Sequence, residues 1–265
     1  MIKIRTIISK EWAEVFKNRL VLFTVAFLPL ILTALPIVTL IATRSFTGDL
    51  DEMGGSDVSS MAVFGEMCAG LSEMECTEVY MLNLFTLMFM ILPVMIPVTI
   101  AAYSIVGEKT SRSLEPLLAT PITTKELLVG KMAAACIPAI LVTWLSFLVY
   151  AVVSWFVASP IVFAASFRPM WWLAIFLVGP LLTLFAVSVA VMISSRVTDP
   201  RVAEQLSTLV ILPIILLVIG QSVGLILVNE QIILALAVIV LLADVGLIYL
   251  AINLFQREMI LTRWK

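Results

Sequence analysis

The sequence predicts an all-α membrane protein of six transmembrane helices, with an amphipathic helix ahead of the first span and a second short one in an inward-facing loop. Three observations predict it. Of the 265 residues, 62% are hydrophobic and only 13% charged, and the mean hydropathy is +1.15; an ordinary soluble domain runs nearer half apolar and about a quarter charged. Six apolar stretches each approach or exceed the roughly 20 residues that cross a hydrocarbon core. The basic residues then fall almost entirely on one side when those stretches alternate.

Residues 1–19 form a first unit. Ile4, Ile8, Trp12 and Phe16 recur at helical spacing, flanked by Ile7 and Val15, opposite Lys3, Lys10, Glu14 and Lys17. A short basic amphipathic helix with a Trp on its apolar side suits the membrane interface. The apolar run that follows is too long for a signal peptide, and no small-residue cleavage site accompanies it.

Residues 20–265 form the membrane domain. The first span covers about 20–43, with kinks expected at Pro29 and Pro36, and a polar, acidic outer loop follows over 44–80. The second span covers about 81–106, with Pro93 and Pro97. A charged loop over 107–131 leads to the third span at 132–157, and a Pro-containing turn with Arg168 to the fourth at 171–193. After a polar stretch, the fifth and sixth cover about 208–228 and 232–254.

With the N-terminus inside, the inner loops and ends hold Lys3, Arg5, Lys10, Lys17, Arg19, Lys109, Arg112, Lys125, Lys131, Arg196, Arg201, Arg257, Arg263 and Lys265. That is fourteen of the sixteen Lys and Arg residues, leaving Arg44 and Arg168 outside. This positive-inside bias predicts a multi-pass plasma-membrane protein with both termini in the cytoplasm.

Several chemistries are excluded by what is missing. The chain has no histidine, and its three cysteines lack metal-site spacing, which removes zinc and haem centres and any His-based triad. No metal site, resident cofactor or nucleic-acid partner is expected. No Gly-x-x-x-x-Gly-Lys-Ser/Thr run occurs, so the chain has no phosphate-cradling loop.

The loop over 107–131 has internal order. Leu114, Leu117 and Leu118 share one side of a short helix, with Lys109, Arg112 and Glu115 elsewhere; Thr120-Pro121 interrupts it. Thr123 followed by Glu126 is a capping box, so a new helix should start there and run into the third span. Asp199-Pro200 reads in the same way as an N-cap with proline at the first helical position.

On these residues the chain resembles a known family. Gly107-Glu108-Lys109, then Leu114-Glu115-Pro116-Leu117-Leu118, Thr120-Pro121, Glu126-Leu127 and Gly130-Lys131 resemble the ABC type-2 permeases, the membrane halves of ATP-driven exporters. The stretch from Ser195 to Arg201 is similar to that family's second inner segment, and Lys10-Glu11-Trp12 to its interfacial connecting helix. The resemblance implies a permease that is not itself an enzyme, with ATP and Mg bound by a separate ATPase subunit and a second permease chain, a copy or a paralogue, completing the assembly in lipid. It also implies that the first inner loop carries a coupling helix seated on the ATPase through Glu108, Arg112, Leu114, Glu115, Pro116, Leu117, Leu118 and Pro121. Arg196, Asp199 and Arg201 mark the second inner loop, Asp199 as a helix start and the arginines as contacts either to the ATPase or to lipid phosphates.

Three features stay open on sequence alone. Asp244 is the acidic residue well inside a span, where an ionised group costs at least about 2.5 kcal/mol; it reads equally as a translocation-path contact or a packing residue. Gly220 and Gly224 suit either close helix contact or a helix break. Cys68 and Cys76 are near enough in the outer loop for a structural disulfide without requiring one, while Cys136 reads as a small apolar packer. The acidic outer loop reads more as solvated surface than as a cation trap. An ion-gradient-driven secondary transporter and a non-transporting membrane assembly factor remain the rival functions; an intramembrane hydrolase lacks clustered catalytic groups.

Overall fold

A computed structural model of the chain describes residues 2–45, 70–110, 123–226 and 228–254. Every regular element among the described residues is helical. In chain order these are α1 (Ile2–Val15), α2 (Arg19–Ser45), α3 (Glu73–Met88), α4 (Leu92–Thr110), α5 (Thr124–Val157), α6 (Pro160–Ser166), α7 (Pro169–Leu173), α8 (Gly179–Arg196), α9 (Pro200–Thr208), α10 (Leu212–Ser222) and α11 (Glu230–Leu254). Three-residue 3₁₀ turns splice α3 to α4 at Phe89–Ile91 and α9 to α10 at Leu209–Ile211, and a π-helical turn, Ala174–Val178, splices α7 to α8.

Six stretches among the described residues are long and apolar enough to span a bilayer: Val21–Ala42, Met74–Ser104, Glu126–Val157, Pro169–Arg196, Pro200–Ser222 and Glu230–Ala251. The all-α, six-span architecture is therefore as the sequence predicts. The helices are longer than the apolar runs that announced them. α3 starts at Glu73, well inside the stretch read as polar loop, because Ser72 and Glu75 form a reciprocal capping box. α5 has 34 residues, about 51 Å at 1.5 Å per residue, so it outreaches a ~30 Å hydrocarbon core.

α4 and α8 pack against each other along much of their length and form the centre of the bundle. Small residues on one face of α8 (Ala186, Ala190, Ser194) permit close packing, and all are fully buried. α2, α5 and α11 pack around this pair, α10 lies against α3, and all four keep large apolar side chains such as Leu30, Leu145, Leu216 and Leu242 exposed. That is the pattern of helices that face lipid tails, which are as apolar as the side chains themselves.

The end of the bundle opposite α1 is stiffened by aromatic rings. Phe89 stacks on Tyr150 at 5.0 Å, and Phe147 meets Trp172 edge-on at 5.4 Å. The Trp171 indole N–H donates to Asn83 Oδ1 at 2.7 Å, and the Tyr150 hydroxyl to the Leu82 carbonyl at 3.3 Å. The turn read before the fourth span contains α6, capped by Ser159.

The fifth span ends earlier than its apolar run. α10 stops at Ser222, and Gly224 takes φ +75°. The Leu225 N–H donates to the Gly220 carbonyl at 2.8 Å and the Gly224 N–H to the Gln221 carbonyl at 3.1 Å. These two bonds are the Schellman terminus, which needs a left-handed residue after the last helical turn. Of the two readings left open for Gly220 and Gly224, the helix break is the one the backbone adopts.

Candidate functional site

The α1 end of the bundle gathers the polar chemistry. α1 lies alongside the first turns of α5, in the same direction, and the contacts advance in step along both helices. Lys3 sits 3.9 Å from Glu126, Ile7 lies against Gly130, Glu11 meets Lys131, and the Trp12 indole N–H donates to the Ala134 carbonyl at 2.9 Å. At Gly130 the approach is so close that a Cβ would fall 2.8 Å from Ile7 Cγ2. Glycine is what allows the two backbones to meet there.

α1's buried stripe is Ile7, Glu11 and Val15, with Ile4, Ile8, Trp12 and Phe16 half-buried beside it. The apolar side expected from spacing is thus rotated by one residue, and a carboxylate stands at its centre. Glu11 is 2% and Lys131 7% exposed. Lys131 Nζ donates to Glu11 Oε1 at 2.8 Å and to Ser104 Oγ at 3.1 Å, and the Ser104 hydroxyl donates to Glu11 Oε2. Ser104 accepts from the cation and donates to the anion, so the three groups close a ring.

The ring joins three elements: α1 through Glu11, the last turns of α4 through Ser104, and the first turns of α5 through Lys131. Two buried ions lose much hydration, and their attraction offsets that loss only when geometry and extra hydrogen bonds are good. Here both oxygens of the carboxylate are engaged. Glu11 and Lys131 carry no signal of pairing in sequence; only the absence of a polar neighbour for Glu11 on α1's buried stripe could have pointed to a distant cation.

α4 also holds the second polar segment. Thr99 Oγ1 donates to Glu204 Oε1 of α9 at 2.7 Å, and Ala102 and Val106 pack on Ala203. α9 begins as the sequence predicts, with Asp199 Oδ1 accepting from the Arg201 N–H at 2.8 Å and proline at the first position. Arg196, Asp199 and Arg201 are exposed at this end of the bundle, clear of the buried ring. The start of α5 likewise follows its capping box: the Thr123 hydroxyl accepts from the Glu126 N–H at 3.2 Å, and Glu126 Oε2 accepts from the Thr123 N–H at 2.8 Å.

Glu108 falls in the last turn of α4. Arg112, Leu114, Glu115, Pro116, Leu117, Leu118 and Pro121 lie outside the described residues, as does Cys68. Cys76 is buried and disulfide-bonded, and Cys136 is a free thiol packed against the apolar core. Asp244 is 2% exposed, and neither carboxylate oxygen has a hydrogen-bond partner among the described residues. It sits on the stripe of α11 formed with Ile233, Ala237 and Val240, the side turned to the bundle.

A six-span helical membrane domain with an amphipathic helix held against the first turns of α5 is the architecture on which the family assignment rests. A model of the ABC-2 family transporter protein matches residues 5–255. The chain belongs to the ABC-2 transporter family. No curated protein matches it. The ABC-2 match runs from within α1 to the end of α11, so the helix bearing Glu11 and the helix pair bearing Ser104 and Lys131 all fall inside it. For an ABC-2 chain the six spans are the transport domain, and the protein is a multi-pass membrane permease.

Proposed function

We propose that this chain is the permease subunit of an ATP-driven exporter, moving its cargo by alternating access while a separate ATPase subunit hydrolyses ATP. The observation that carries the reading is the loop at 107–131 in an ABC-2 chain. Its sequence resembles the coupling segment of type-2 permeases, and the helices on either side of it are bound to each other through Ser104 and Lys131. These 265 residues contain no phosphate-cradling loop, so in this reading ATP is hydrolysed outside them. The positive-inside bias supports a cytoplasmic position, where ATP is, for that loop, residues 195–201 and both ends of the chain in a plasma-membrane protein.

In this reading Leu114, Glu115, Pro116, Leu117 and Leu118 form the surface seated on the ATPase, with Glu108, Arg112 and Pro121 at its margins. Arg196 and Arg201 extend the contact from the second inner loop, and α1 lies at the membrane interface. Two permease chains pair with two ATPase subunits, which bind the ATP and Mg. The test is co-purification from the native membrane followed by exchange of Glu115→Ala with Leu118→Ala. A stoichiometric ATPase should accompany the wild-type chain, and the double variant should insert normally yet fail to retain or stimulate it. A chain that repeatedly purifies without an ATPase would overturn the reading.

One observation favours a second reading, transport driven by an ion gradient. Asp244 is a buried intramembrane carboxylate without a partner among the described residues, the kind of group that proton- and cation-coupled carriers use. The same purification separates the two, since a gradient-driven carrier needs no ATPase.

A further inference from the structure

We infer that Glu11, Ser104 and Lys131 form a clamp that makes α1 move with the base of the loop at 107–131, so that a force applied to the loop reaches α2 through α1. The inference rests on the ATP-driven reading, and it concerns residues that the family resemblance does not mark as a contact to the ATPase.

The geometry has three parts. Ser104 and Lys131 stand on the two helices that enter and leave the loop, and they hydrogen-bond directly, so they tie its base shut. Glu11 bridges both, accepting from Lys131 and from Ser104 through its two oxygens. α1 continues into α2 after a short turn in which the Asn18 N–H donates to the Val15 carbonyl at 3.0 Å and the Leu22 N–H to the Asn18 carbonyl at 3.0 Å. α1 therefore cannot leave the base of the loop without separating a cation from its carboxylate inside the protein, and it cannot stay there without drawing on the first span.

Packing contacts alone would let α1 slide. Ile7 on Gly130 and the Trp12–Ala134 hydrogen bond resist separation but distribute little directional force. A bidentate carboxylate held between an ammonium and a hydroxyl fixes both rotation and register. That makes Glu11 and Lys131 positioning residues for the transport cycle, acting through the helices they join. The Lys3–Glu126 pair is half-exposed and too long to do the same.

The test uses the full chain in lipid nanodiscs with its co-purified ATPase, followed by hydrogen–deuterium exchange without nucleotide and with ATP, Mg and vanadate. The variants are Glu11→Leu with Lys131→Met, which removes both charges together and avoids a stranded ion, and the exchanged pair Glu11→Lys with Lys131→Glu. In the wild type, nucleotide should change exchange at least threefold both at 123–131 and in α1. In the apolar pair the change at 123–131 should persist while that in α1 disappears, and the exchanged pair should restore it. An α1 response in the apolar pair equal to wild type would overturn the clamp, as would a wild-type response confined to 123–131. No nucleotide response anywhere in the wild type would instead overturn the ATP-driven reading, and the clamp with it.

Discussion

Lys131 and Glu11 are 120 residues apart in sequence and 2.8 Å apart in the fold, each almost wholly removed from water. Removing one member leaves the other buried and uncompensated, which costs about 3–5 kcal/mol, whereas replacing both by apolar groups of similar volume is often neutral. Lys131→Met alone should therefore lower thermal stability sharply, and Glu11→Leu with Lys131→Met should recover most of the loss. Thermal unfolding of the wild type, both single variants and the double variant closes the cycle. Equal losses in single and double variants would show that the ring is not a coupled unit. Ser104→Ala should cost about 1 kcal/mol, since it removes one hydrogen-bonding hydroxyl and strands no full charge.

The contact between Ile7 and Gly130 makes a second prediction. A methyl group at position 130 would sit 2.8 Å from Ile7 Cγ2 and 3.1 Å from its Cβ, and a β-branched side chain has little rotamer freedom with which to yield. Gly130→Ala should push α1 away from α5 and destabilise by about 1–3 kcal/mol. Ile7→Ala in the same chain should reverse much of that. Limited trypsin digestion reads the displacement directly, because Arg5 and Lys10 lie on α1: cleavage there should accelerate in Gly130→Ala and slow again in the double variant. Unchanged digestion of Gly130→Ala would show that α1 accommodates the methyl without moving.

These two contacts also mark how far the sequence could be read. Span number, the helix starts at Thr123 and Asp199, and family membership are legible because each has a local cause: hydrophobic length, a side chain two or three residues from its backbone partner, a continuous motif. The face that α1 buries is offset by one residue from the one that spacing predicts. Periodicity assigns Glu11 to neither face, while the fold buries it beside a cation from 120 residues away. Such pairing is tertiary and leaves no mark at helical spacing. The same holds for Glu204, whose partner Thr99 lies on another span. α3 begins before its apolar run for a different reason, since the acidic residues after Ser72 lower hydropathy while the Glu75 capping bonds favour the helix.

Gly224 tests the end of the fifth span. Its φ of +75° is costly for any residue with a Cβ, roughly 1–2 kcal/mol. Gly224→Val should exceed that because β-branched residues adopt this region least readily, and Gly224→Asn should be tolerated best. Thermal unfolding of the three proteins should rank them Gly, Asn, Val. If Val were as stable as Gly, α10 would have to continue through position 224 as an ordinary helix, and the Leu225–Gly220 bond would be absent.

At the far end of the bundle, Asn83 is placed to serve two groups at once: its Nδ2 donates to the Val79 carbonyl at 2.8 Å, and its Oδ1 accepts from the Trp171 indole at 2.7 Å. Asn83→Leu keeps the volume and strands the indole N–H where Trp171 is 1% exposed, a loss of about 1–3 kcal/mol for an unsatisfied buried donor. Hydrogen bonds between membrane helices average lower, near 0.6 kcal/mol, because the unfolded helices also find partners, so a value toward the bottom of that range is expected. Trp171→Phe added to Asn83→Leu removes the stranded donor but opens space beside Ala174 and Met90, which line an apolar cavity with Trp171. The second substitution should therefore recover only part of the loss, and filling the cavity with Ala174→Val should recover more. Thermal unfolding of the series decides it: full recovery by Trp171→Phe alone would mean that the indole's volume contributes nothing to the packing between the second and fourth spans.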